Sequence, residues 1–193
     1  MTCAGSLSRS RRWPRRARCS PSPSEQAKRR VKNAVLTADD LPPKWKPAPV
    51  EEHVEDPGLP TYCGVTAIPK PLAAARVDLY ARTSTGPFLL QYTSAAPDVA
   101  GAKKVMTKLH EVAKTCRPDK NGKARYDVEP VTDIDDLGDD AVGFHYKEKA
   151  GFTSGIVVFR RGDMVVTVLD LGPPSVPYKT VRSVAGTVDD RIA

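Results

Sequence analysis

A chain of 193 residues with 40% apolar content is long enough for one core of ordinary size plus an extension, and it holds no run of about 18 apolar residues that could cross a bilayer as a helix. The formal charge of +7 points to a nucleic-acid partner until it is divided. Residues 1–35 carry ten Lys/Arg against Glu25 alone, net +9, while residues 36–193 carry twenty basic and twenty-two acidic residues, net −2, so the body has no electrostatic reason to attract phosphate.

Residues 6–19 read SLSRSRRWPRRARC. A secretory leader needs a positive start and then roughly 7–15 apolar residues. The positive start is present and the apolar stretch is not, which also weakens a twin-arginine reading of Arg11-Arg12. Behind Cys19 comes SPSPSEQ, a small, polar spacer like the one behind the lipid-bearing cysteine of bacterial lipoproteins. Arg16, Ala17 and Arg18 do not supply the apolar and small residues such a cysteine wants in front of it. Cys19 is therefore the candidate lipidation site, and residues 1–18 are read as something other than the natural leader. Composition makes residues 1–35 a disordered basic segment, with the folded domain running from 36 to 193.

Within the body, residues 28–35 form a short amphipathic lead-in. Thr37 then caps a brief helix, with Asp40 three residues on in a weaker form of the capping box and Pro42-Pro43 ending it. Leu41 and Trp45 are its expected buried residues. Residues 42–71 hold eight of the eighteen prolines, so regular structure there is sparse. From Arg76 to Arg82, Val77, Leu79 and Ala81 alternate with polar neighbours; Thr83–Pro87 reads as a turn; Phe88, Leu90 and Tyr92 alternate again. The pair predicts a β-hairpin. Pro97 and Asp98 open a helix whose apolar stripe is Ala102, Val105, Met106, Leu109, Val112, Ala113 and Cys116, with Lys103, Lys104, Lys108 and Lys114 off the stripe. A strand near Tyr126–Val131 comes next, placed at a sheet edge by Pro130. After an acidic loop, Asp133–Asp140, come strands through Val142–Tyr146, Ile156–Arg160 and Met164–Leu171, the last two joined at Arg161-Gly162. Val181, Val184, Ala185, Val188 and Ile192 share one face of a closing helix. Two strands, a helix, four strands and a helix predict an α+β domain: an antiparallel sheet of about five to six strands with flanking helices.

Four cysteines are present, and none forms a CxxC pair. Cys63 sits in the Pro-rich coil and Cys116 at the inner end of a helix, so a Cys63–Cys116 bridge would tie the coil to the core. Closing a loop of about 50 residues is worth very roughly 4 kcal/mol. Two buried free thiols are the alternative. Other chemistry fails on spacing. Counted from Asp133, a calcium loop would need ligands where Leu137 and Phe144 stand. His53, His110 and His145 lack any short metal-ligand spacing, and His145 faces away from Phe144 and Tyr146, toward solvent. Ser154 and Ser175 lie in no GxSxG, and no phosphate-binding, dinucleotide or HExxH motif occurs. Arg161-Gly162-Asp163 spells an adhesion tripeptide, which a hairpin turn explains. No metal, cofactor or catalytic residue is expected.

Leu36-Thr37-Ala38-Asp39-Asp40-Leu41-Pro42, Cys63, the hairpin, the helix ending in Cys116, Leu137-Gly138-Asp139 and Val158-Phe159-Arg160-Arg161-Gly162-Asp163 succeed one another over about 155 residues. The ordered set resembles the actinobacterial sensor-domain lipoproteins, which are similar to the extracytoplasmic sensor domain of the mycobacterial receptor kinase PknH. The resemblance implies an antiparallel sheet with flanking helices, export, often a lipid anchor, and a cleft for an unidentified ligand. The kinase sensor looks like a two-disulfide structure, whereas this body can make one. No kinase domain or membrane span accompanies it here, so signalling by phosphorylation does not carry over, and no ligand residues do either.

The first expectation is an exported, non-catalytic cell-envelope module, lipid-anchored or secreted, that binds a small polar or envelope ligand, associates with membrane through its anchor and takes no nucleic acid on its folded body. The second is an intracellular nucleic-acid or anionic-surface binder acting through the basic tail, with free thiols and salt-dependent binding. The third is a hydrolase whose scattered site the fold would assemble.

Overall fold

Val, Ile, Thr and Phe crowd residues 153–171, and the two strands they make lie at the middle of the molecule. The computed structural model describes residues 21–41, 43, 45–47, 61–62, 65–66, 70–80, 87–115, 126–148, 153–171 and 176–193. Among them, β1 (Lys46–Pro47) and six long strands form one sheet: β4 (Ala73–Tyr80), β5 (Phe88–Ala95), β6 (Tyr126–Val131), β7 (Asp140–Glu148), β8 (Thr153–Arg161) and β9 (Met164–Leu171). The order is β1-β4-β5-β9-β8-β7-β6, every pair antiparallel. A separate ribbon pairs β2 (Thr61–Tyr62) with β3 (Val65–Thr66). Pro47 and Pro130 stand on the two outermost strands, the place in a sheet where a missing N–H is tolerated. The expected α+β fold is thus present.

Helices cover both faces. Helix α2 (Val99–Thr115) turns Ala102, Val105, Met106, Leu109 and Val112 onto one face, against Leu90, Tyr92, Val142, Phe144, Ile156, Val158, Val165 and Leu169. Each large buried side chain contributes about 2 kcal/mol. Helix α3 (Tyr178–Ile192) lays Val181, Val184, Ala185 and Val188 on the opposite face, against Val77, Leu79, Leu89, Val157, Phe159, Val166 and Val168. Leu41 and Trp45 pack at the edge of this second cluster. Two covered faces explain why β5, β8 and β9 are buried at consecutive positions rather than alternate ones.

Three expectations change. Residues 23–34 do not belong to a disordered segment: helix α1 (Pro23–Ala34) buries Ala27, Val31 and Ala34 beside Ala73, Ala95 and Met164, so the folded body includes them. Its start is a full capping box. Ser22 Oγ accepts the Glu25 N–H at 3.2 Å, and the Glu25 carboxylate accepts the Ser22 N–H at 2.9 Å, with Pro23 in the first helical position. Charge density disguised an apolar stripe at four- and three-residue steps. The β8–β9 turn is Gly162-Asp163, one residue later than expected, with Arg161 paired to Met164 and Gly162 at φ +60°. His145 lies on the α3 face and is half-buried, because that face is covered as well.

A buried amide fixes the α1 exit. Gln91, 1% exposed, accepts the Leu36 N–H at 3.0 Å and donates to the Ala34 carbonyl at 2.8 Å and Thr93 Oγ1 at 2.9 Å. Backbone groups that leave the helix inside the core thereby keep their partners.

Candidate functional site

The short sequence motifs converge on the Gly162-Asp163 turn, where they interlock. Asp139 accepts from the Arg160 guanidinium at 2.7 Å and the Gly162 N–H at 2.9 Å, while its own N–H donates to the Arg160 carbonyl at 2.7 Å. Arg161 makes a two-pronged pair with Asp189 of α3, both contacts 2.6 Å, and Asp189 also accepts the Gly138 N–H at 2.9 Å. Arg30 of α1 grips Asp163 at 2.7 and 2.5 Å. One hairpin tip therefore holds the 137–139 loop, α1 and α3 together. Gly138 takes φ +59°, and a Cβ there would stand 2.3 Å from the Arg160 carbonyl oxygen, so only glycine fits. The adhesion-like tripeptide has both charged side chains committed inside the fold.

The Leu36–Leu41 motif is a clamp too. Asp40 accepts from the Thr37 N–H (2.7 Å) and hydroxyl (2.6 Å) on one oxygen and from Arg191 of α3 (2.8 Å) on the other, and Arg191 also donates to the Val35 carbonyl at 2.7 Å. Burial works against the charged forms of Asp40 and Asp189, but their hydrogen bonds and arginines outweigh it and hold both below the ordinary carboxylate range. Asp139 is lowered chiefly by the Gly162 N–H, and Asp163 chiefly by Arg30.

The other end of the sheet buries a different set of polar groups. On the α3 face, His145 pairs across the ladder with Gly155; one step beyond the last β8–β9 pair, Ile156–Leu169, stand Gly155 and Asp170. Gly155 leaves a gap over which Tyr178 lies, since a Cβ there would come within 3.3 Å of the Tyr178 ring. The Tyr178 and His145 rings meet edge to face with centroids 4.6 Å apart. The Tyr178 hydroxyl is buried, and burial first, then the charge of Asp133 and a hydrogen bond to its side chain, raise the phenol pKa. Asp170 is wholly buried, accepts the Val176 N–H at 2.9 Å, and is pushed by burial up to about 7 against that bond. The row sets a buried carboxyl and a buried phenol beside an imidazole ring.

The acidic loop spends its carboxylates on the chain's own basic side chains. Asp136 goes to Arg182 (2.6 Å), Asp139 to Arg160, Asp140 to His110 Nε2 (2.8 Å), and Arg182 also donates to the Asp133 carbonyl. Among the described residues no three His, Cys, Asp or Glu side chains come together to hold a metal ion. Neither His110 nor His145 is hydrogen-bonded to a Ser, Thr or Cys among them, so the described geometry supplies no nucleophile–base pair. Cys3, Cys19, Cys63, Cys116, His53 and Ser175 lie outside the described residues. Sequence reasoning missed Tyr178 and Asp170. A signal for Asp170 existed: a strand apolar at consecutive positions has two covered faces, so an acid inside it is buried wherever it points.

The sequence matches no known protein family and no curated protein. The fold is similar to the crystal structure of the extracellular domain of PknH from Mycobacterium tuberculosis, at 13% identity and a TM-score of 0.58, over 86% of this chain and 96% of that one.

Proposed function

We propose that the chain is an extracytoplasmic, non-catalytic sensor or ligand-binding domain, lipid-anchored through Cys19 or secreted, with a Cys63–Cys116 disulfide. The observation that carries the reading is the similarity to an extracellular receptor domain over nearly the whole of both chains. The motifs at Leu36–Leu41, Leu137–Asp139 and Val158–Asp163 support it, since their charged side chains are spent on pairs that hold the fold together. The row of His145, Tyr178 and Asp170 is where this reading puts the ligand contact, and the ligand's chemistry is small and polar.

The test is the redox state of the cysteines. Cells making the native protein are lysed into a thiol-blocking reagent and the peptides mapped by mass spectrometry. A Cys63–Cys116 bridge is the expected result, because such bonds persist outside the cytosol. Two blocked free thiols would overturn the export reading and favour a cytosolic role for the basic segment.

A further inference from the structure

We infer that the outer face of helix α1 is a docking surface for an anionic phospholipid bilayer, and that it sets the orientation of the domain on the membrane. The inference rests on the envelope role proposed for the chain and extends it. Ala27, Val31 and Ala34 fix one side of α1 against the sheet, so Lys28, Arg29 and Lys32 project outward, all three exposed. None of the three is in an ion pair among the described residues. Arg30, the fourth cation of the helix, is the one spent inward, on Asp163. The single acid on α1, Glu25, is tied into the cap.

Position in the chain favours a bilayer more strongly than charge does. Cys19 precedes the helix N-cap, Ser22, by three residues, a reach of at most about 10 Å. A surface that attracts this end therefore meets α1 within about one Debye length. A second basic face exists on α2, where Lys103, Lys104, Lys108 and Lys114 are exposed around Glu111. It packs on the opposite side of the sheet from α1, so a flat bilayer that touches one helix does not touch the other. That geometry supplies an internal control of equal charge.

The experiment uses the full, unacylated chain and vesicles of equal parts phosphatidylglycerol and phosphatidylcholine. Cosedimentation is measured for the natural protein, for the triple variant K28Q/R29Q/K32Q, and for K103Q/K104Q/K108Q. Each basic residue near such a surface changes partitioning about fivefold, so the α1 variant is expected to bind roughly 100-fold more weakly and the α2 variant less than about threefold. Equal losses in both variants, or no loss in the α1 variant, would overturn the orientation. So would unchanged vesicle binding accompanied by lost affinity for duplex DNA, which would assign the face to nucleic acid. Circular dichroism checks that α1 stays helical, which glutamine favours. Because no acyl group is present, the outcome does not depend on export or on Cys19; the mass of the native N-terminal peptide reads those separately.

Discussion

Asp170→Asn tests the electrostatic account most sharply, because two opposing pH effects are built into the same molecule. An aspartate with an ordinary value of 3.8 that rises to about 7 on folding binds its proton more tightly in the native state. Folding therefore loses stability as pH climbs from about 4 to about 7, and the full effect of three pH units is on the order of 4 kcal/mol. Asp40, Asp139, Asp163 and Asp189 have the opposite sign. Their stabilisation is present above about 4 and is lost as pH falls through their depressed native values. The sum is a dome with its maximum in weak acid. Asparagine keeps an oxygen for the Val176 N–H but cannot ionise. Its buried amide hydrogens cost about 1 kcal/mol at pH 5, and the fall between pH 5 and 8 disappears while the acid limb stays. Urea unfolding at one-unit steps from pH 3 to 8 measures both arms. If the natural protein were flat or rising between pH 5 and 8, or if Asp170→Asn kept the slope, burial would not be the force acting on this carboxyl.

Asp189→Ala should cost about 2–4 kcal/mol, the loss for a broken buried pair reduced because Arg161 is one-third exposed; a double-mutant cycle with Arg161→Met should show coupling above about 1 kcal/mol. Gly138→Ala and Gly162→Ala share a positive φ but differ in surroundings, so the second should cost about 1 kcal/mol and the first, with its Cβ driven into a carbonyl, at least three times that in chemical denaturation. Ser22→Ala should remove about 1 kcal/mol and raise amide hydrogen exchange in α1 ahead of the rest of the fold.

The elements from β4 to α3 were legible in order and type because their apolar spacing is strong. The Ala102–Val112 stripe and the Val181–Val188 stripe are both buried, as their periodicity requires. What misled was the assumption that one sheet face meets water. Alternation made His145 a surface residue, whereas α3 covers that face and the Tyr178 ring meets it edge to face. Helix α1 was half legible: residues 28–35 read as an amphipathic lead-in, but four basic residues in twelve hid its start, although Ser22, Glu25 and the 27-31-34 stripe spell a capped amphipathic helix. Long-range polar partners were not legible at all. Nothing local says that Gln91 will meet Leu36, or that Asp189 will meet both Gly138 and Arg161, since those pairings depend on how the sheet brings distant segments together.

The two ends of the sheet differ in what a ligand could gain there. At the Gly162 turn the carboxylates of Asp139, Asp163 and Asp189 each already hold an arginine, so an incoming polar group must first displace a pair formed within the chain. Displacement of that kind costs a few kcal/mol before anything is gained, and it would loosen the contacts that keep α1 and α3 on the sheet. At the Tyr178 end the buried hydroxyl is set against the Asp133 side chain. The same end holds a carboxyl that titrates near neutrality directly beneath the approach to α3. A polar ligand bound there would therefore act on the seating of α3, and through Asp189 and Arg191 the far end of that helix touches the clamp at the other end of the sheet.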